Sequence, residues 1–256
     1  MARSEAKENG MSLEPGRPAT RRLRYVACVS YPRSGHHLTV RLLHHYFGQE
    51  FNYCQYYEKD ESVCCQTFPC TSQCVTMTKN HDMELGNPHK SGLPKVEGVP
   101  YLILIRNFLE AAVSDYNLFL RSHPEDTREA WEQFSRRRVL YYKRFLNKWV
   151  ISNDGLEKLV VRYEELTGEP HRVFSQIVQF FDPSHAIQTD RLTRIVSEAV
   201  LEDVKPETTE VIRNFGVKNR RRLEDFAYFD AGFFCELEQC LEPEFEQLGY
   251  PIRFAA

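Results

Sequence analysis

Residues 25–47 constrain the fold more than any other stretch of this chain. A short apolar run, Tyr25-Val26-Ala27-Cys28-Val29-Ser30, leads into Tyr31-Pro32-Arg33-Ser34-Gly35-His36-His37-Leu38. An amphipathic run follows from Leu38 to Phe47. That order predicts a strand, a tight turn and a helix start. The first N–H groups of a helix have no partner inside it, and together with the helix dipole they bind anions, phosphate above all. Arg33 adds a fixed positive charge at the same turn. Pro32 fixes one φ angle, and Gly35 permits close approach to the backbone. The stretch therefore predicts a phosphate-binding loop. It is not the loop of ordinary nucleoside triphosphatases, which reads G-x-x-x-x-G-K-[ST]. Here there is one Gly, no Gly-Lys-Ser/Thr follows, and Arg33 precedes the Gly.

The rest of the chain alternates strand-like and helix-like segments. Tyr25–Ser30, Val75–Thr78, Tyr101–Ile105 and Lys158–Arg162 read as strands. The continuous apolar run Tyr101-Leu102-Ile103-Leu104-Ile105 suits a parallel strand covered on both faces. Leu38–Phe47, Phe108–Leu120, Thr127–Ile151, Pro170–Phe181, Thr189–Leu201 and Ala231–Leu248 read as helices, and Gly249-Tyr250-Pro251 ends the last. In the long helix, Trp131, Phe134, Leu140, Tyr141, Phe145 and Trp149 recur near helical spacing and are expected to face the core. The predicted fold class is α/β: a P-loop-like, three-layer fold with a central, mostly parallel sheet and helices on both faces. Right-handed crossovers bring the loops after the strands to one edge. Arg33, His81, Arg106 and Tyr163 all follow predicted strands and should meet there.

Arg106 sits at the carboxyl end of the third predicted strand, and Ser114 two turns into the next helix. A guanidinium and a hydroxyl so placed can converge on a second anion. With these motifs together, the sequence resembles the sulfotransferases that use 3′-phosphoadenosine-5′-phosphosulfate (PAPS). In that family a Tyr-Pro-Lys-Ser-Gly-Thr-Thr loop binds the 5′-phosphosulfate. Tyr31–His37 is similar to it, with Arg33 for Lys and His36-His37 for the two Thr. The family's Arg-Asn-Pro, with Ser eight residues after the Arg, binds the 3′-phosphate; Arg106 and Ser114 keep that spacing, with Phe108 for Pro. Lys79-Asn80-His81 resembles the Lys-Thr-His that carries the catalytic base. Tyr163-Glu164-Glu165-Leu166 resembles a Tyr-Glu-Asp-Leu motif whose Tyr lies near the adenine. The resemblance implies cofactor-binding roles for Arg33, Ser34, Gly35, His36, His37, Leu38, Arg106, Ser114 and Tyr163. The family's C-terminal Arg-Lys-Gly-x-x-Gly segment has only a loose echo in Arg213–Lys218, and the nearby Arg220 and Arg221 are the candidates for charge on the 3′-phosphate. A solvated basic turn explains them equally well.

Sulfuryl transfer needs a deprotonated nucleophile, an in-line geometry and stabilisation of charge on the departing phosphate oxygen. Arg33 and the loop N–H groups suit the last task. His81 is the expected general base, since a neutral imidazole takes a proton near pH 7; His36 and His37 compete for that role. Lys79 is expected to hold the transferring group. The resemblance implies transfer without a metal. Two rivals stay open: a P-loop kinase acting on a small molecule, and a non-catalytic protein that binds 3′-phosphoadenosine-5′-phosphate (PAP).

Composition bounds the remainder. The chain has 256 residues, of which 42% are hydrophobic, enough for a substantial core. Its net charge of −3 provides no global field for nucleic acid or anionic membrane. Residues 1–22 carry Gly, Pro, Ser and mixed charge without apolar periodicity, and read as a disordered leader. They lack the apolar core of a secretory signal, and no run is apolar and long enough to span a bilayer. A cytoplasmic enzyme of one sulfotransferase-like domain, 23–256, is expected; a homodimer is left open. Cys54, Cys64, Cys65, Cys70 and Cys74 cluster in an aromatic insert at about 48–74. Only Cys70-x₃-Cys74 has zinc-like spacing, so thiols are expected, with a disulfide the next reading. Phe47, Phe51, Tyr53, Tyr56, Tyr57 and Phe68 of this region, with His123-Pro124, are expected to form a lid over the acceptor, a small molecule or carbohydrate.

Overall fold

The computed structural model describes residues 23–55, 65–198 and 222–254. The predicted leader, Tyr56, Tyr57, Cys64, Arg213–Lys218, Arg220 and Arg221 lie outside the described residues. In chain order the elements are β1 (Val26–Ser30), α1 (His36–Phe47), β2 (Tyr53–Gln55), β3 (Met77–Asn80), β4 (Tyr101–Ile105), α2 (Phe108–Phe119) and α3 (Arg128–Phe145). Then come β5 (Lys158–Arg162), α4 (Tyr163–Gly168), α5 (Pro170–Phe181), α6 (Thr189–Val196), α7 (Ala231–Gln239) and α8 (Glu242–Leu248).

The strands form one sheet in the order β2-β3-β1-β4-β5, and every pair is parallel. Alternate residues of the central strands feed two cores, as a strand's period of two requires. Ala27, Val29, Tyr101, Ile103 and Ile105 pack with α2, α3, α7 and α8. Val26, Cys28, Leu102 and Leu104 pack with α1, α5 and α6 on the other face. The fold is therefore the three-layer α/β arrangement read from the sequence. Chain order reverses at β1: α1 leads toward β2 and β3 on one side, while β4 and β5 lie on the other. In open parallel sheets, ligands bind at the carboxyl ends of strands flanking such a switch. Here that crevice lies between the ends of β1 and β4.

Several expectations need correction. The insert at about 48–74 contributes the edge strand β2, paired Cys54 to Thr78 and Gln55 to Lys79. Phe47 and Phe51 belong to the core beside α1 and α5 and form no lid. Leu140 is 62% exposed, and its expected place against the core is taken by Tyr142, which is fully buried. The helix expected over Thr127–Ile151 is capped by Thr127, whose hydroxyl accepts from Ala130 N, and widens to a π-helical turn over Leu146–Ile151. Ala231–Leu248 is two helices rather than one, because Pro243 has no N–H for the ladder and its ring crowds the carbonyl four residues earlier.

Candidate active site

The loop after β1 is built as its sequence suggests. Tyr31 is fully buried, its ring 4.5 Å from that of Tyr142 and 5.1 Å from that of Tyr141, so α3 supports the turn from below. Arg33 (φ 67°) and Gly35 (φ 86°) both take left-handed backbone. Only Gly fits position 35: a Cβ there would lie 2.6 Å from Tyr163 Cδ2. No side chain caps α1 and its first turn carries no acid, so the end of the helix keeps its affinity for an anion. Ser34 is buried, and among the described residues its Oγ has no hydrogen-bond partner. A buried hydroxyl without a partner costs stability unless a ligand engages it.

Across the switch point the second cationic group closes on the first. Arg33 Nε donates to Ser114 Oγ at 2.9 Å, and Arg106 Nη1 donates to the carbonyl of Arg33 at 3.4 Å. The Arg106 guanidinium also lies 4.5 Å over the Tyr163 ring. Arg33, Gly35, Arg106, Ser114 and Tyr163 are thus one interlocked group, drawn from the ends of β1, β4 and β5 and from α2. Ser114 pairs with Arg33, where the spacing had suggested Arg106. Burial makes Arg33 easier to deprotonate than an ordinary guanidinium; nearby Asp115 opposes this, while Arg106 and Arg121 add to it. The local field is positive although the chain as a whole is acidic.

On the other side of β1 stand Lys79 and His81. His81 Nδ1 is 2.7 Å from the carbonyl oxygen of Ser30. A carbonyl only accepts, so Nδ1 carries the hydrogen and Nε2 keeps its lone pair. Burial, and then the neighbouring Lys79, hold the imidazole down at about 3. Lys79 is itself buried, and its ammonium is destabilised first by that burial and further by Arg33. The two competing histidines separate clearly. His36 spends both nitrogens on structure, with Nε2 2.8 Å from Tyr53 Oη and Nδ1 3.6 Å from Cys28 Sγ. Burial holds it well below the usual imidazole range. His37, on the first turn of α1, is held at about 4 by burial, Lys79 and Arg33. Leu38 packs its side chain into the core, leaving only its backbone for a ligand.

Three further groups, to none of which the sequence had given a positioning role, fix this geometry. Tyr141 donates its hydroxyl hydrogen to the carbonyl of His81, and Tyr142 donates to that of Arg106 at 2.7 Å. Asp82 (φ 49°) is buried and accepts from Trp149 Nε1 at 2.7 Å, Lys148 Nζ at 2.8 Å and Leu93 N at 2.7 Å, which ties the chain after His81 to the end of α3. Glu164 accepts from Asn107 N at 2.8 Å and from Tyr250 Oη at 3.2 Å, joining the ends of β4 and β5. The run of aromatics in α3 hinted at Tyr141, and Glu164 stood inside the quoted Tyr163–Leu166 motif, but nothing pointed to Asp82. His123 stacks on Phe119 with ring centroids 3.9 Å apart. Among the described residues no group of three or more His, Cys, Asp or Glu is placed to hold a metal ion, and no helix is long and apolar enough to cross a membrane.

Comparison with known proteins gives the chain its family and agrees with its fold. The chain matches the sulfotransferase domain family model over residues 24–214. Among solved structures it is similar to mouse sulfotransferase SULT7A1 complexed with PAP, with a TM-score of 0.63 and 16% identity over 90% of this chain and 87% of that one. At that identity the likeness speaks for the fold. No curated protein sequence matches. The family model covers most of the chain, including the loop after β1 and the ends of β3, β4 and β5, and the chain belongs to the sulfotransferase domain family.

Proposed function

We propose that this sulfotransferase takes its sulfuryl group from PAPS and passes it to a hydroxyl or amine of a small molecule or carbohydrate by in-line displacement. The observation that carries this reading is the 2.7 Å contact between His81 Nδ1 and the Ser30 carbonyl oxygen. With Nδ1 committed to the Ser30 carbonyl, Nε2 is left to accept a proton. It does so at the same sheet edge as Lys79 and the Arg33–Ser114–Arg106 group.

Each residue then has one task. His81 Nε2 takes the acceptor's proton as its oxygen or nitrogen attacks sulfur. Lys79 steadies the equatorial oxygens of the group in flight. As the S–O bond to the 5′-phosphate breaks, Arg33, the Ser34 hydroxyl and the first N–H groups of α1 stabilise the charge left on phosphate. Arg106 and Ser114 hold the 3′-phosphate. Ser114 Oγ already accepts from Arg33 Nε, so its own hydrogen is available to that phosphate. Tyr163, clamped between Gly35 and Arg106, presents an aromatic face to the adenine. Arg220 and Arg221 are proposed to add charge at the 3′-phosphate on the resemblance alone.

Calorimetry with PAP and ADP tests the donor assignment. Binding of PAP in strong preference to ADP, with the preference lost in Arg106→Ala, is the expected result. Equal binding of the two nucleotides would overturn it. PAPS consumption across a panel of phenols, amines and sugars, abolished in His81→Ala while PAP binding persists, tests the base.

A further inference from the structure

Cys65 and Cys70 belong to the connection between the edge strand β2 and β3. Both are thiols, and their sulfurs lie 3.4 Å apart. A disulfide bond is about 2 Å long, so a movement of little more than about 1 Å would join them. The turn closes on itself: Thr67 Oγ1 is 3.1 Å from Cys65 Sγ and 3.5 Å from Thr71 Oγ1. It is also anchored to the sheet. Cys70 N donates to Tyr25 Oη at 3.0 Å, and that hydroxyl is 2.6 Å from Thr78 Oγ1 in β3. Cys70 is thus anchored to the sheet, and Cys65 is partly exposed.

The two thiols also differ in chemistry. The Thr67 hydroxyl, with backbone donors of Thr67 and Thr71, favours the Cys65 thiolate and brings its pKa to about 6. Cys28 shows the opposite case: burial pushes its thiol up to about 12 and leaves it inert. A partly exposed thiolate with a second thiol in van der Waals contact is the arrangement that thiol–disulfide exchange requires.

We propose that Cys65 and Cys70 form an oxidation site, with Cys65 as attacking thiolate, Cys70 as resolving thiol and a low-molecular-weight disulfide of the glutathione class as co-reactant. Cys65 Sγ attacks one sulfur of that disulfide. Its S–S bond breaks, one small thiolate leaves and takes up a proton, and Cys65 carries the other half. Cys70, losing its proton to solvent, attacks Cys65 Sγ and expels the second small thiol. The protein dithiol gives up two electrons and two protons, and the small disulfide receives them. The ring so closed spans residues 65–70 and is pinned through Tyr25 to Thr78, the residue before Lys79.

The test uses the full chain under native conditions in graded ratios of oxidised to reduced glutathione, with thiols trapped by N-ethylmaleimide and peptides mapped by mass. The first internal link to form should join Cys65 to Cys70. Cys70→Ser should accumulate glutathione on Cys65, and Cys65→Ser should leave Cys70 unmodified at the same ratio. Iodoacetamide labelling of the unmodified protein requires no variant. It should show Cys65 reacting with a midpoint near pH 6, well below that of free glutathione labelled in the same way. A first link from Cys65 to Cys54, Cys64 or Cys74 would overturn the proposal. So would a lasting glutathione adduct on Cys65 in the unmodified protein, or a Cys65 labelling midpoint no lower than that of free glutathione.

Discussion

Tyr142 donates its hydroxyl hydrogen to the carbonyl oxygen of Arg106 at 2.7 Å, and its neighbour Tyr141 does the same for His81. Two consecutive residues of one helix therefore hold the ends of β3 and β4, which flank β1 on either side. Their rings also hold Tyr31 beneath the loop after β1. On the proposed reading these tyrosines position the base and the 3′-phosphate arginine separately. Tyr142→Phe should weaken PAP binding about threefold to tenfold, the worth of one hydrogen bond, and leave the pH profile of turnover in place. Tyr141→Phe should do the reverse, lowering kcat and shifting the pH profile while PAP binding holds. Equal losses in both constants for both variants would mean that the pair serves folding alone.

His81 is held at about 3 by burial and by Lys79. A base so weak is poorly matched to an acceptor hydroxyl. On the proposed reading donor binding corrects this, because phosphate oxygens beside Lys79 and Arg33 would offset the positive field that disfavours imidazolium. The NMR titration midpoint of His81 should therefore move upward when PAP binds. A midpoint that stays put or falls would remove His81 from the role of base.

The same three imidazoles link stability to pH. His36, His37 and His81 all have folded-state values depressed below the ordinary 6.5. Below that value the unfolded chain binds protons that the folded chain does not, so stability rises with pH through the window. It is fully present above about 6.5 and is lost as pH falls toward about 4 for His37 and about 3 for His81. Denaturant melts between pH 7 and pH 4 should show proton uptake on unfolding, and His37→Asn should reduce it. Stability that is flat or rises on acidification would contradict the burial of these rings.

Much of the fold could be read from the chain because its signals are local. The strand cores Tyr101–Ile105 and Lys158–Arg162 agree residue for residue with β4 and β5: β4 is covered on both faces and apolar throughout, while the edge strand β5 is marked by Leu159-Val160-Val161 between two charged ends. β2 was illegible: Tyr53-Cys54-Gln55 is three residues long and partly polar, and its strand character comes from pairing with β3. Arg33, His81, Arg106 and Tyr163 could be placed because each follows a strand. Tyr142, Glu164 and Asp82 could not. Apart from Leu93 beside Asp82, their partners are 36 to 86 residues away in the chain, and nothing in a local window encodes such a contact.

Gly35 tests the loop itself. Its φ of 86° is unfavourable for any L side chain, and an added Cβ would meet the Tyr163 ring at 2.6 Å. Gly35→Ala should cost about 1–3 kcal/mol of stability, the usual strain of a non-Gly residue in sparse backbone regions. It should also displace Tyr163 and so weaken PAP binding further than stability loss explains. Unchanged melting and binding would show that the turn relaxes freely.

Asp82 is the residue on which the base depends most indirectly. Its carboxylate is fully buried and takes hydrogens from Lys148, Trp149 and the backbone of Leu93. Removing it leaves an ammonium that is only 18% exposed with carbonyl partners alone, those of Ser91 and Leu93, and strands a buried indole N–H. Breaking such a pair from one side costs about 3–5 kcal/mol, so Asp82→Ala should melt at a clearly lower temperature. Asp82→Asn keeps the shape and an acceptor oxygen but loses the charge, and should fall between the two. The diagnostic reading is at the neighbouring residue: in Asp82→Asn, folded protein should retain PAP binding through Arg106 while turnover through His81 declines. If turnover and binding fell together, the anchor would be holding the whole sheet edge, and the separate placement of His81 by Asp82 would be wrong.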